Sequence, residues 1–318
     1  MKIVALERKN LGNDIDFTRF GKFGEFTEYE KTGIEQIYER SKDAQVLIIN
    51  KLPMNESTLG ALNRLRLICV TATGTDNVDL NYCKAHQIAV CNAKGYSTDS
   101  VVQHTFAMFF YLMEHLPYYD QYTKSGNYVK SETFTHFDRY FMELAHKTWG
   151  IVGMGDIGKK VAAAAKAFGC EVIYYSTSGN NQFDGAERVE WDALLERSDV
   201  ISIHAPLNER TRNLFDLQAF KKMKSSAYLV NVGRGPIVNE SDLCKALKDQ
   251  LIAGAALDVL SQEPMREDNP LFEVIDQENL LITPHIAWAT TEARNRLTDE
   301  VYKNIESYLN GGTYGRLC

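Results

Sequence analysis

The 318-residue chain is 44% hydrophobic and 24% charged, a composition that is typical of folded globular proteins and argues against disordered or fibrous classes. Its length indicates two domains. Lys and Arg total 35 against 42 Asp and Glu, and the net charge of -7 argues against a nucleic-acid or anionic-membrane binder. The sequence has no apolar run near the roughly 18 residues that cross a bilayer, and its N-terminus lacks a signal-peptide core.

Six cysteines are scattered along the chain without a CxxC pair: Cys69, Cys83, Cys91, Cys170, Cys244 and Cys318. This spacing predicts free thiols in a reducing compartment and argues against a disulfide scaffold or a zinc site. We therefore expect a cytoplasmic protein that binds no metal.

Short β-branched runs alternate with amphipathic stretches along the chain, which predicts an α/β fold. Strands are predicted at residues 3–6, 46–49, 67–70, 88–91, 148–152, 171–175, 200–204, 227–232, 252–257 and 280–283. Many are apolar on consecutive residues, as in parallel sheets covered on both faces. We predict two doubly wound Rossmann-like domains with one parallel sheet each.

The two series of strands are separated by a predicted helix over residues 99–116 and an aromatic-rich segment over residues 117–141. A last predicted helix, residues 292–309, follows the second series and could pack on either domain.

A glycine-rich turn, GMGDIG at residues 153–158, follows a predicted strand and opens an Ala-rich predicted helix. In this context Gly153 permits the tight turn, Gly155 lets the backbone approach a pyrophosphate, and Gly158 lets helix and strand pack closely. The phosphates would lie at the helix N-terminus. The motif therefore predicts a dinucleotide site.

The choice between NAD and NADP depends on the end of the next strand, where a carboxylate normally binds the adenosine ribose. Here that strand ends in Ser176, followed by TSGNN. No carboxylate repels a 2′-phosphate, and no Arg or Lys follows closely to attract one. We expect NAD(H) by a small margin, with NADP(H) open.

Charged and polar residues follow four of the later predicted strands: His204-Ala205-Pro206, Gly233-Arg234-Gly235, Asp258 with Glu263, and His285. In an open α/β sheet, ligands bind outside the carboxyl ends of the strands. Oxidation of an alcohol by a nicotinamide needs a base, a carboxylate that orients the base, and a cation for an anionic substrate. Each residue alone could be structural, but together they predict this chemistry.

In these motifs the sequence resembles the D-2-hydroxyacid dehydrogenase family, over essentially its whole length. The matching segments are GMGDIG, HAPLNERTRNL from His204, NVGRGPIVNE around Arg234, ALDVLSQEP ending at Pro264, and TPHIAW around His285. The resemblance implies a substrate-binding domain of residues 1–98 plus 289–318 and a dinucleotide-binding domain of residues 99–288. It also implies an active site in the cleft between the domains, and a homodimer built on the 99–116 helix and neighbouring segments.

By this resemblance, Arg234 holds the carboxylate and carbonyl of a 2-keto acid, and His285 is the acid/base. Glu263 hydrogen-bonds the imidazole of His285 and favours its protonated form, which donates to the carbonyl as hydride arrives. The Glu263–His285 pair differs from formate dehydrogenases, which carry Gln in place of this Glu.

The resemblance also assigns the substrate to the backbone of Thr73 and Gly74, with Tyr96 and Trp288 lining the pocket, and the nicotinamide carboxamide to Asp258. The full cofactor set implied by the motifs and the resemblance is Gly153, Gly155, Asp156, Ile157, Gly158, Ser176, His204, Ala205, Pro206, Thr211, Val232, Gly233, Arg234, Asp258 and His285.

Within the family, GYSTDSVVQHT from Gly95 and PHIAWA from Pro284 look most like glycerate dehydrogenases, also called hydroxypyruvate reductases. The expected substrate is hydroxypyruvate, with glyoxylate second. Branched or aromatic 2-keto acids are the alternative if aromatic residues of the 117–141 segment line the pocket; core or dimer packing is an equal explanation for them. A further alternative is an NADH-binding module of the corepressor type, with the fold but feeble turnover.

Overall fold

A computed structural model describes every residue from Met1 to Cys318 and divides the chain into two compact units. The first comprises Met1–Ser97 with Trp288–Cys318, and the second Thr98–Ala287. The strands are β1 (Lys2–Ala5), β2 (Glu25–Glu28), β3 (Val46–Ile49), β4 (Leu67–Val70), β5 (Ala89–Cys91), β6 (Thr148–Val152), β7 (Glu171–Tyr175), β8 (Glu187–Arg188), β9 (Val200–Ile203), β10 (Tyr228–Asn231), β11 (Gly254–Leu257) and β12 (Leu280–Ile282).

The helices connect these strands. They are α1 (Ile37–Ser41), α2 (Glu56–Leu59), α3 (Leu80–Ala85), α4 (Thr98–Met113), α5 (Leu116–Lys124), α6 (Asp156–Ala167), α7 (Trp191–Arg197), α8 (Leu217–Lys222), α9 (Glu240–Lys248) and α10 (Thr291–Leu309). None of them combines the length and the apolarity that crossing a bilayer requires.

The first unit contains a five-stranded parallel sheet in the order β2-β1-β3-β4-β5. Its inner strands β3 and β4 are apolar on consecutive residues because both faces are covered. Helix α10 supplies part of this cover: Leu297, Val301 and Ile305 share a core cluster with Ile3 and Ile48. The last helix therefore packs on the first sheet, the point that its sequence leaves open.

The second unit contains a seven-stranded parallel sheet in the order β12-β11-β10-β9-β6-β7-β8. Phe109 of α4 and Val161 of α6 share one core cluster with strand residues of this sheet, and Leu194 of α7 and Leu243 of α9 share another. Strands β7 and β8 are added on one side of β6, and β9 to β12 on its other side. Open α/β sheets bind ligands at such a switch in strand order, which lies here between β6 and β9. The predicted fold class of two parallel α/β sheets is confirmed.

Three details differ from the sequence prediction. Strands β2 and β8 have no predicted counterpart because each is a short, polar strand at a sheet edge. The helix predicted over residues 99–116 ends at Met113. His115 then takes a left-handed conformation with φ 51°, and Pro117 lies in the first turn of α5.

The strands at the centre of the second sheet end at the same level. Val152 is in register with Ile203, Ile203 with Asn231, Asn231 with Leu257, and Leu257 with Ile282. The residues that follow these strands therefore line a single edge of the sheet.

Candidate active site

The turn after β6 leaves room for a ligand backbone. Gly153 has φ 95°, and a Cβ there would lie 2.8 Å from the amide nitrogen of Ala205. A Cβ at Gly158 would lie 2.3 Å from the carbonyl oxygen of Gly153, whereas a Cβ at Gly155 would meet no atom within 4 Å. Helix α6 begins at Asp156 without a side-chain cap, so its first N–H groups and its dipole face this open turn. These residues fit a pyrophosphate.

His204 follows β9 beside this turn. The Trp149 indole N–H donates to Ser202 Oγ over 2.9 Å, and Ser202 Oγ lies 2.9 Å from His204 Nε2. His204 Nδ1 is buried and has no hydrogen-bond partner. Burial lowers the pKa of His204 to about 3, so the imidazole is neutral at pH 7.

Two residues of the expected cofactor set bind their own loops. Ser176 is buried, and its Oγ accepts the N–H of Asn181 over 3.3 Å. Thr211 is also buried; its hydroxyl donates to the Pro206 carbonyl and accepts the Asn208 N–H, both over 2.8 Å. These contacts fix the loops after β7 and β9.

The turn after β10 is shaped by Asn231, a buried residue that the sequence analysis missed. Its Oδ1 accepts the Gly233 N–H and its Nδ2 donates to the Arg234 carbonyl, both over 3.0 Å. Arg234 Nη1 in turn donates to the Gly233 carbonyl over 2.9 Å. A Cβ at Gly235 would lie 1.9 Å from the backbone of Leu260, so only glycine fits there. Val232 is half-buried and packs against the sheet core.

The predicted acid/base His285 and its predicted carboxylate partner Glu263 lie together. His285 Nδ1 is 2.7 Å from Glu263 Oε2, and Glu263 Oε1 accepts the N–H of Leu260 over 3.0 Å. Their side chains are 26% and 33% exposed, so solvent or a small ligand reaches the pair. A carboxylate on Nδ1 fixes the ring orientation and stabilises an imidazolium.

Asp258 fixes the backbone beside His285. Its carboxylate is buried and accepts the N–H groups of Ile286 and Ala287 over 2.8 and 2.9 Å. The hydroxyl of Thr283 donates to the same carboxylate over 2.6 Å. The family resemblance predicts a cofactor contact for Asp258, and no sequence motif signals this contact to the loop.

The residues expected to bind substrate from the first unit form their own local structure. The Thr73 hydroxyl donates to the Ala93 carbonyl over 2.8 Å, and Gly74 follows it in the loop after β4. Tyr96 is buried, and its ring lies edge-on to Trp288 with the centroids 6.3 Å apart. The Tyr96 carbonyl accepts from Arg296 Nε over 2.8 Å.

The model of the D-isomer specific 2-hydroxyacid dehydrogenase NAD-binding domain matches residues 106–287, more than half of the chain. The chain belongs to this dehydrogenase family. It is 39% identical over 311 residues to a protein named glycerate dehydrogenase from Methylorubrum extorquens, covering 98% of this chain and 96% of the relative.

Two further relatives of this dehydrogenase show the same full-length match. A hydroxypyruvate reductase from Blautia hydrogenotrophica is 35% identical over 317 residues, with 98% of each chain covered. The solved structure of an acyclic imino acid reductase in complex with NADPH and D-Arg superposes with a TM-score of 0.89 at 28% identity, covering 100% of both chains. The resemblance stated from the motifs is thereby confirmed, and the dehydrogenase is an oxidoreductase with an NAD-binding domain.

Proposed function

We propose that this dehydrogenase reduces hydroxypyruvate to D-glycerate with a nicotinamide cofactor, with glyoxylate as a secondary substrate. The observation that carries the chemistry is the 2.7 Å hydrogen bond between His285 Nδ1 and Glu263 Oε2 at the carboxyl edge of the second sheet. The choice of substrate is supported by the relatives named glycerate dehydrogenase and hydroxypyruvate reductase.

In the proposed reduction, His285 gives the proton from Nε2 to the carbonyl oxygen, and Glu263 stabilises the imidazolium that precedes the transfer. Arg234 binds the substrate carboxylate and polarises the same carbonyl, because its planar fork matches two acceptors at once. The bound cofactor supplies the hydride. In the reverse direction His285 accepts the hydroxyl proton.

For the substrate, we propose that the first unit supplies the backbone N–H groups of Thr73 and Gly74 and the side chains of Tyr96 and Trp288. This unit would be the substrate-binding domain, and Thr98–Ala287 the dinucleotide-binding domain. The Tyr96–Trp288 ring pair supports the assignment because two packed aromatic rings present a fixed wall.

For the cofactor, we propose that the turn Gly153–Gly158 holds the pyrophosphate and that Asp258 receives the carboxamide. Further contacts come from the loops after β7, β9 and β10: Ser176, His204, Ala205, Pro206, Thr211, Val232 and Gly233. The segment from Ser176 to Asn181 carries neither a carboxylate nor a cation. We therefore expect binding of both NADH and NADPH, with NADH modestly preferred.

Initial rates test the substrate and cofactor assignments. NADH and NADPH oxidation would be followed with hydroxypyruvate, glyoxylate, pyruvate, 2-ketoisocaproate and phenylpyruvate. We expect the largest kcat/KM with hydroxypyruvate. Preference for the two bulky acids would contradict this substrate and favour the alternative reductase. No turnover despite tight NADH binding would contradict enzymatic function and favour the corepressor-like module.

We also propose a cytoplasmic homodimer. The 128–141 segment exposes a run of large apolar side chains, with Phe134 88% and Tyr140 85% exposed in the single chain. It is held to its own unit by the Arg139–Glu278 ion pair, at 2.8 Å. Exposed apolar surface of this extent supports a subunit contact. The six free cysteines support a reducing compartment.

Light scattering after size exclusion tests the dimer. The double variant Phe134→Ser with Tyr140→Ser should lower the measured mass to that of a monomer. Phe272→Ser, which changes a half-exposed phenylalanine outside the segment, should leave the mass unchanged. A double variant with the wild-type mass would exclude this segment as the contact.

A further inference from the structure

We propose that His104 and Thr283 are positioning residues, which act on the acid/base His285 through the Asp258 carboxylate. This inference rests on the proposed function of His285. His104 belongs to α4 and Thr283 follows β12, so the two residues are 179 positions apart in the sequence. None of the motifs joins them.

The first link is the environment of Asp258. This residue is 1% exposed, and its carboxylate receives three short hydrogen bonds from the segment after β12: Thr283 Oγ1 and the Ile286 N–H to Oδ1, and the Ala287 N–H to Oδ2. A buried carboxylate needs such donors because burial removes its hydration. The segment that carries His285 is therefore held to Asp258 on both sides of the histidine.

The second link is the backbone of His285. Its N–H is 2.9 Å from the carbonyl oxygens of both Asp258 and Thr283, and its φ is 55°. A non-glycine residue in this left-handed region is retained only where its surroundings hold it there. The direction of the Cα–Cβ bond, and so the position of the imidazole on Glu263, depends on these contacts.

The third link is the hydrogen bonding of the Thr283 hydroxyl. Its hydroxyl has a single proton, which is donated to Asp258 Oδ1 over 2.6 Å. The oxygen can then accept a hydrogen bond from the N–H of His104 Nε2, which lies 3.1 Å away. His104 Nε2 is also 3.5 Å from Asp258 Oδ1. His104 thus holds the hydroxyl in the rotamer that serves Asp258.

Helix α4 makes a second contact with the segment that carries His285, so the helix supports this segment on both sides of the histidine. The hydroxyl of Ser100, one turn before His104, donates to the carbonyl oxygen of Ala287 over 2.6 Å. His104 supports the segment before His285, and Ser100 supports it after. A rigid helix therefore fixes the loop that carries the acid/base.

Loss of these contacts should slow the chemical step because a displacement of about 1 Å in a reacting group can cost roughly 100-fold in rate. Thr283→Val removes the hydroxyl at nearly constant shape, and we expect kcat to fall about 10- to 100-fold. His104→Leu should lower kcat about tenfold, since Thr283 keeps its own bond to Asp258. His104→Gln retains an N–H donor and should restore kcat to within about threefold of wild type.

The matched control is Thr105→Val. Thr105 neighbours His104 on α4, is fully buried, and donates its hydroxyl to the Val101 carbonyl of its own helix. Its loss removes a buried hydroxyl without touching Asp258, so kcat should stay near wild type. Thermal melting would measure the stability cost in every variant.

Two readouts separate positioning from general destabilisation. With hydroxypyruvate saturating and NADH deuterated at the transferred position, the isotope effect on kcat should rise in Thr283→Val and His104→Leu because hydride transfer becomes slower. The Kd for NADH, measured by fluorescence, should change less than about threefold, since the pyrophosphate turn is intact. An unchanged kcat with a weakened Kd would overturn the proposal and assign the network to cofactor binding alone.

His285→Ala, assayed in parallel, separates this inference from the proposed function. Full activity in His285→Ala would refute the acid/base assignment itself. If His285→Ala is inactive while Thr283→Val and His104→Leu keep wild-type kcat and isotope effect, the acid/base assignment stands and the positioning role is wrong. Should Thr283→Val fail to fold, the His104→Leu and His104→Gln pair alone decides, because wild-type kcat in the leucine variant contradicts the proposal.

Discussion

Each of the two parallel sheets has a carboxylate that follows a strand, but the side chains around the two carboxylates differ. In the first unit Glu7, after β1, accepts the N–H groups of Asn50, Lys51 and Leu52 over 2.7–3.1 Å. In the second unit Asp258, after β11, accepts two backbone N–H groups and the Thr283 hydroxyl. Both carboxylates tie neighbouring loops to the carboxyl edge of a sheet.

The difference lies in what surrounds them. Around Glu7 the bonded side chains are amides: Asn10 Nδ2 donates to Glu7 Oε1 over 3.2 Å, and Asn50 Nδ2 donates to the Thr71 carbonyl over 2.9 Å. Around Asp258, the partly exposed Glu263–His285 pair joins two titratable side chains to each other. A strand-end carboxylate is therefore weak evidence for chemistry, and a side-chain pair open to solvent is stronger evidence.

The largest effect that tests this comparison is expected from His285→Ala. Removing a general acid/base usually costs 10²- to 10⁴-fold, so we expect kcat for hydroxypyruvate to fall about 1,000-fold. The Kd for NADH should stay within about threefold of wild type, since the pyrophosphate turn is untouched. Steady-state kinetics and fluorescence titration measure both. Substantial residual kcat would point to another proton donor.

Arg234→Lys should have the next largest effect. A lysine keeps the charge but not the planar fork, so two-point binding of carboxylate and carbonyl is lost. We expect kcat/KM to fall about 100-fold. Arg212→Lys, a change in the same residue type in the exposed loop after β9, is the control and should remain near wild type. Equal kcat/KM in Arg234→Lys would refute its substrate role.

Glu7→Gln tests whether the strand-end carboxylate of the first unit contributes to stability and not to catalysis. Glutamine replaces one acceptor oxygen with an NH₂ group that faces backbone donors, so the variant should lose about 2 kcal/mol of unfolding free energy. Glu30→Gln, at an exposed position, should change it by less than about 0.5 kcal/mol. Urea unfolding measures both. The kcat of Glu7→Gln should equal that of wild type; a large loss of kcat would assign Glu7 to the chemistry.

The last prediction concerns His204 and the pH dependence of stability, an effect that appears only below pH 6.5. Its pKa is about 3 in the folded protein against 6.5 ordinarily, so below pH 6.5 the unfolded chain binds a proton that the folded protein does not. Stability is therefore lost as pH falls from 6.5 towards 3, by about 2 kcal/mol at pH 5 from this residue. His204→Gln should lose less stability between pH 7 and pH 5 than wild type does. The exposed His86→Gln serves as control and should follow the wild-type curve.

Much of the fold is predictable because buried parallel strands consist of consecutive apolar residues, as in Val46–Ile49 and Val200–Ile203. The edge strands β2 and β8 are not predicted from the sequence because a half-covered edge strand needs no such apolar run. The Glu263–His285 contact is expected from the family motifs. The contact between His104 and Thr283 is not, because it depends on the packing of α4 beside β12, which no local pattern records.

The aromatic segment shows a different limit of sequence reasoning. The aromatic composition of residues 117–141 indicates only that these side chains pack against other groups. A substrate pocket, the core of the chain and a dimer contact would each provide such packing. In the single chain Phe134 and Tyr140 are almost fully exposed, so the core is excluded for these two rings. Hydrophobic pattern alone does not separate burial within a chain from burial between chains.

The left-handed backbone of His285 has a consequence for how this chain can change. Glycine is the residue that would relax such a turn, by about 1 kcal/mol, but glycine carries no imidazole. Selection for thermal robustness alone would therefore favour a substitution that abolishes proton transfer. At this position thermal stability and catalytic turnover favour different residues, and the chain carries the residue that turnover requires.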